Sequence, residues 1–147
     1  MKTKKLYFRR KIFSNSGFTL IELMVVIALI AILAVGGYSA YIASLKRGRD
    51  VRRKQDMKAI QNAFEQYYAT NLDYPINDSE AAGTMMDGFL PTDPKTSDSY
   101  TYTYSYADDG FSYCVCSLLE NAGEGNADTA ACNFFSGGDY FCVQNLQ

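Results

Sequence analysis

The sequence predicts an α+β chain, in which one long N-terminal helix packs against a small antiparallel β-sheet of about three strands. Three observations predict it. An uncharged apolar run, Leu23–Leu45, is long enough for a membrane-crossing helix, which needs ~20 residues. Beyond it, Met57, Ile60, Phe64 and Tyr67 recur at spacings of three, four and three, which marks one face of a continuing helix. The period then drops to two in YTYTYSYA, residues 100–107, the signature of a strand.

The helix is expected from about Phe18 to about Ala69, ~78 Å at 1.5 Å per residue. Gly36 and Gly37 weaken it locally and permit either a bend or close packing against a neighbour. The turn-forming run Asn71-Leu72-Asp73-Tyr74-Pro75 ends it. Residues 71–98 hold all three prolines and read as a connecting loop, with Met85–Leu90 as a short helical turn. Asp108-Asp109-Gly110 is a hairpin turn, and residues 111–119 form the return strand. A Gly/Asn-rich loop leads to a third strand at residues 139–145. So small a sheet needs one covered face, and the stripe at residues 57–67 supplies the cover.

Charge is segregated. Residues 1–17 carry six basic side chains and no acid, and residues 46–58 carry seven bases against Asp50 and Asp56. From Ala59 onward there are thirteen acids and one base, Lys95. A basic leader, a basic collar and an acidic head follow one another. The collar is suited to DNA or anionic lipid. Its simpler readings are a solvated helix face or pairing with acidic heads of neighbouring subunits. Similarly, Tyr100, Tyr102, Tyr104 and Tyr106 share one strand face, suited to a sugar or other ligand but more simply core or subunit interface.

The chain has no His, so it lacks the commonest general base and metal ligand. With no G-x-S-x-G elbow and no phosphate loop, an enzyme is not expected. Cys114, Cys116, Cys132 and Cys142 cluster near the C-terminus behind an apolar export segment. That pattern reads as two disulfides formed in an oxidising compartment. The spacing lacks the C-x2-C knuckles of a four-thiolate zinc site. Cys114 and Cys116 lie on the same strand face, where a mutual bridge is geometrically poor. If residues 139–145 pair antiparallel with residues 113–119, Cys116 neighbours Cys142 and Cys114 takes Cys132. The swapped pairing stays open.

Glu22 sits near the start of the apolar run, where a carboxylate is costly in lipid. Three N-termini compete: an uncleaved anchor, a secretory signal cut near Ala34-Val35-Gly36, and a cut between Gly17 and Phe18. Only the last gives Glu22 a role. A free amine at Phe18 would lie four residues from Glu22 on one helix face, and a buried charge is tolerable with such a partner. An acid there also suits the helix dipole.

SGFTLIEL behind a basic leader and before an unbroken apolar run resembles the prepilin signature of type IV pilins and type II secretion pseudopilins. The YYATNLDYP and LPTDPK segments and the tyrosine-rich hairpin are similar to the major-pseudopilin branch. There the acidic C-terminal tail often binds calcium. Here a cysteine-rich tail stands in that region, so no cofactor is expected, calcium being the one candidate. The cysteines themselves resemble the disulfide-closed C-terminal loop of many pilins.

The resemblance implies a pilin-like fold divided into a cleaved leader, residues 1–17, a transmembrane and filament-core helix, 18–45, an amphipathic continuation, 46–70, and a globular head, 71–147. It implies cleavage between Gly17 and Phe18 by a prepilin peptidase, methylation of the Phe18 amine, and charge pairing of Glu22 during assembly. The expected partners are further copies of the chain, the peptidase/methyltransferase, an assembly ATPase and a membrane platform protein; direct nucleic-acid binding is not expected. The chain would first cross the inner membrane once with its head outside, then join an extracellular or periplasmic filament. The expected function is a structural subunit of a type IV pilus or similar filament. The alternatives are the major pseudopilin of a type II secretion system and a membrane-anchored binding module.

Overall fold

The computed structural model describes residues 17–95 and 100–147. The expected leader lies outside the described residues except for Gly17. The elements are α1 (Leu20–Asn71), α2 (Asp78–Gly83), β1 (Thr103–Tyr106), β2 (Tyr113–Leu118) and β3 (Tyr140–Gln144). The chain is α+β, with a long N-terminal helix and a three-stranded antiparallel sheet in the order β1-β2-β3. Two compact units divide it, one ending at Ser39 and one running from Ala40 to Gln147.

In the first unit the apolar side chains of α1 are exposed throughout. This part of the helix is apolar and long enough to cross a membrane.

The second unit has its own core. On α1, Met57, Ile60 and Phe64 are fully buried against Tyr74, Ala81, Tyr113, Val115 and Val143. The stripe continues at Tyr68, which packs on this cluster, instead of the expected Tyr67. A step of four from Phe64 keeps a residue closer to the same face than a step of three. Leu72 ends the helix in the left-handed region, φ 65°, with its N–H bonded to Tyr68 O at 2.8 Å. Such a residue commonly closes a helix, though it is usually glycine.

The short helix lies at Asp78–Gly83, not at Met85–Leu90. Asn77 caps it by accepting from the Glu80 N–H at 3.0 Å, while Glu80 accepts from the Ile76 N–H. Residues 85–90 lack such a cap and form turns.

The Ala107–Ser112 turn joins β1 to β2, with Gly110 at φ 69° packed on Asp73 and Tyr74. Val115 lies opposite Val143, and Cys116 opposite Cys142. Because side chains alternate, the valines meet α1 while the cysteines meet Ala127 of the 119–139 loop. The sheet is therefore covered on both faces. Asn126 mimics a further peptide at the sheet, accepting from Cys142 N–H at 2.7 Å and donating to Cys142 O at 2.9 Å. Gly125 and Gly138 pass so close to the backbone of Tyr140 and Ala127 that an added Cβ would collide with a carbonyl oxygen.

Candidate functional site

The N-terminal site begins at Gly17 and Phe18, both exposed and ahead of the first helical turn. Thr19 is the N-cap. The Glu22 N–H donates to Thr19 Oγ1 at 3.3 Å, and the Thr19 N–H donates to Glu22 Oε2 at 2.9 Å. The Thr19 hydroxyl also donates to Glu22 Oε2 at 2.7 Å. This reciprocal pair is a capping box, which satisfies two N–H groups otherwise left open at a helix start. The sequence reading missed it, although the Thr-x-x-Glu spacing before an apolar run is its signal. Both members lie on the C-terminal side of the Gly17–Phe18 bond.

At the other end of the apolar run the collar is split. Arg53 is wholly buried. Its Nε and Nη2 donate to Asp93 at 2.6 and 2.8 Å, and its Nη1 donates to Asp50 at 2.7 Å and Glu120 at 3.0 Å. Arg49 donates from Nε and Nη2 to the two oxygens of Glu120. Asp50 also accepts from the N–H groups of Glu120 and Asn121 and from Asn121 Nδ2. The Tyr100 ring lies 4.6 Å from Arg53 Cζ and 4.2 Å from Lys95 Nζ. Lys54 donates to Glu124 O. Lys46, Arg47, Arg52 and Lys58 are exposed.

The cluster is balanced in charge: Arg49, Arg53 and Lys95 face Asp50, Asp93 and Glu120. Arg49 and then Arg53 hold the Glu120 carboxyl down at about 2, against the effect of burial. For Asp50, burial works against the charge, but hydrogen bonds from Glu120, Arg53 and Asn121 lower its pKa below the usual value. Burial also opposes the Arg53 charge, and the Asp93, Asp50 and Glu120 hydrogen bonds outweigh it and raise its pKa. Asp50 and Glu120 therefore stay ionised at neutral pH, and all three carboxylates are paired. The arrangement clamps α1 to the loops at residues 93 and 120.

A second polar anchor is Glu65. It accepts from Tyr74 Oη at 3.1 Å, Tyr113 Oη at 3.3 Å and the Leu146 N–H at 3.0 Å. Burial, then the Glu65 hydrogen bond, pushes the Tyr74 phenol up to about 12. Tyr102, Tyr104 and Tyr106 pack on the core, and Tyr102 and Tyr106 donate to Asp56 and Asp78. They form half-buried structure, not an open binding platform.

Cys114 is bonded to Cys132 and Cys116 to Cys142, with Cα separations of 5.9 and 4.1 Å. The sulfurs of Cys114, Cys116 and Cys132 lie within 4.8 Å of one another, a spacing that suits a metal. All are consumed in the bridges, so no thiolate remains to ligate zinc.

Residues 12–38 match the family model described as a prokaryotic N-terminal methylation motif. This is the prepilin signature of type IV pilins and pseudopilins. No curated protein and no solved structure matches the chain significantly.

Proposed function

We propose that this chain, which carries the prepilin signature at residues 12–38, is a structural subunit of a type IV pilus or pilus-like filament. The observation that carries the reading is the Gly17-to-Glu22 segment opening directly into a helix whose apolar side chains are exposed throughout the first unit. Such a surface is stable in lipid, or against the same surface of other copies. The reading assigns residues 1–17 to a removable leader, 18–45 to membrane span and later filament core, 46–70 to the helix continuation and 71–147 to the head. Cleavage between Gly17 and Phe18 would leave the Thr19–Glu22 capping box intact and free the Phe18 amine for methylation. Glu22 would then meet the amine of a neighbouring copy during assembly.

Export of the head is supported by its two disulfides, which persist in oxidising compartments. The anchored form would sit in the inner membrane. Drawing an apolar span out of lipid requires work, so an ATPase and a membrane platform protein are the expected partners, beside the peptidase/methyltransferase. The disulfide-closed head favours an exposed pilus. The major pseudopilin of a type II secretion system is the second reading, favoured by the Leu90–Lys95 segment, whose Asp93 and Lys95 join the ion cluster.

Intact mass and N-terminal sequencing of the membrane-extracted protein test the reading. A chain starting at Phe18 with one added methyl is expected; one starting at Met1 or near Gly37 would overturn it. Glu22→Ala should be processed normally and fail to form filaments. Electron microscopy of sheared cells separates a surface pilus from a periplasmic fibre.

A further inference from the structure

We propose that a cleft beside residues 41–52 of α1 binds the phosphate headgroup of an anionic phospholipid. The proposal rests on the membrane-anchored form of the reading above. The cleft has a volume of about 280 Å³ and lies between Tyr41, Leu45, Gly48, Arg49 and Arg52 of α1 and Pro94 of the following loop. Positions 41, 45, 48 and 52 fall on one helix face.

The cleft wall is almost wholly apolar, made by Tyr41 and Leu45 at the end of the uncharged run and by the carbon stems of Arg49 and Arg52, whose charged ends stand at its rim. Gly48 lies between them, and a Cβ there would meet nothing within 4 Å. A missing side chain thus leaves the cleft open. Glu120 holds Arg49 in place through its Nε and Nη2. The Arg52 side chain is 69 % exposed, and its bridge to Asp56 is loose at 4.0 Å. Its guanidinium fork is free to take a phosphate in two-point fashion.

The level along the helix fits as well. At 1.5 Å per residue, Gly48 to Arg52 lie ~5–10 Å beyond Leu45, and the headgroup layer is ~5–7 Å thick on each side of a bilayer. Tyrosine is favoured at that interface, and arginine side chains reach toward it from above. Lys46 and Arg47, both exposed, strengthen the attraction to an anionic surface. The volume sits just below the ~300–1,000 Å³ of small-ligand pockets. It accommodates the glycerol esters and the first acyl carbons, with the phosphate at the arginine rim. An apolar cleft with a cationic rim matches the order of acyl chain and phosphate in a lipid, which is why lipid is favoured over a second copy of the chain.

The test uses the full chain extracted from membranes in mild detergent and offered equal phosphatidylglycerol and phosphatidylcholine, with retained lipids counted by native mass spectrometry. Phosphatidylglycerol should be retained about five-fold or more over phosphatidylcholine, and Arg52→Gln should lower this preference about five-fold. Gly48→Phe should fill the cleft and lower the preference at least as far as Arg52→Gln while leaving the unfolding midpoint unchanged. Lys58→Gln, an exposed cation outside the cleft, should change nothing. Equal retention of the two lipids overturns the proposal, as does an unchanged preference in Arg52→Gln and Gly48→Phe. Displacement of the lipid by inorganic phosphate at similar concentration would mark a soluble-anion site and overturn it. Cleft variants that keep the lipid preference but lose filaments would mark a contact between copies, with the same consequence. Recovery of the wild-type chain in the soluble fraction of lysed cells would refute membrane anchoring itself and the proposal with it, a result distinct from lost lipid preference.

Discussion

Replacing Arg53 with methionine is the most informative perturbation of the head. Methionine keeps much of the length of the side chain and removes its charge. The guanidinium is fully buried and bonded to three carboxylates, so the loss falls unequally on them. Glu120 retains Arg49, and Asp50 retains three donors from Glu120 and Asn121. Asp93 loses two short bonds and keeps the Lys95 N–H at 2.7 Å. Stranding a buried charge costs about 3–5 kcal/mol, and most of it should reside at Asp93. Asp93→Asn in the Arg53→Met background removes that charge and should restore about half of the loss. Urea unfolding of the disulfide-intact chain in detergent, followed by the near-ultraviolet circular dichroism of the head tyrosines, measures both. A loss under about 1 kcal/mol for Arg53→Met is the value of an exposed ion pair and would refute the reasoning. So would a double variant less stable than Arg53→Met alone.

Other outcomes follow from the same geometry. The folded-state pKa of Glu120, about 2, lies below its ordinary 4.5. Its contribution is therefore complete above pH ~4.5 and lost as pH falls through ~2; allowing for solvent screening it is roughly 1–3 kcal/mol, and Glu120→Gln should flatten the stability profile in that window. Tyr74 has the opposite sign: with its phenol raised from 10.0 to about 12, its contribution is complete below pH 10 and lost as pH rises through 12, which spectrophotometric titration of wild type against Tyr74→Phe would detect. The bridges span 18 and 26 residues of sequence, so a Cys-to-Ser pair at either should lower stability by about 3 kcal/mol in urea unfolding. Gly138→Ala drives a methyl into the Ala127 carbonyl and should destabilise the head by more than about 2 kcal/mol, whereas Gly48→Ala should be tolerated.

The periodicities that define the fold are local, and they were readable for that reason. The 3–4 spacing of Met57, Ile60 and Phe64 describes a helix face without knowledge of what it meets, and the Asp108-Asp109-Gly110 turn joins strands that adjoin in sequence. The same locality explains the misplaced short helix. The sequence reading placed a helical turn at Met85–Leu90, but the deciding signal was the Asn77–Glu80 cap of α2. A six-residue helix is too short for periodicity to identify and depends on its first turn. Alternating side chains placed Cys114 and Cys116 on one face; choosing their partners needed the β2–β3 register, in which Cys116 faces Cys142. That register depends on a loop of more than twenty residues, whose length carries no register information.

The collar shows a different limit. Composition counts seven bases between residues 46 and 58 and treats them as one surface. The helix separates them by angle. Arg53 shares the buried face that continues through Met57, Ile60 and Phe64, so it enters the head; Arg52, one residue and about 100° away, remains in solvent. Only the turn of the helix distinguishes the two arginines, and only the partners brought in from residues 93 and 120 show that the inward one carries a balanced set of carboxylates. The apolar stripe thus ends in ions, not in more hydrophobic residues. A fully apolar face at residues 50 and 53 would be at least as stable by burial alone. The charges instead require partners that only the loops at residues 93 and 120 supply, so they fix how this part of α1 seats in the head.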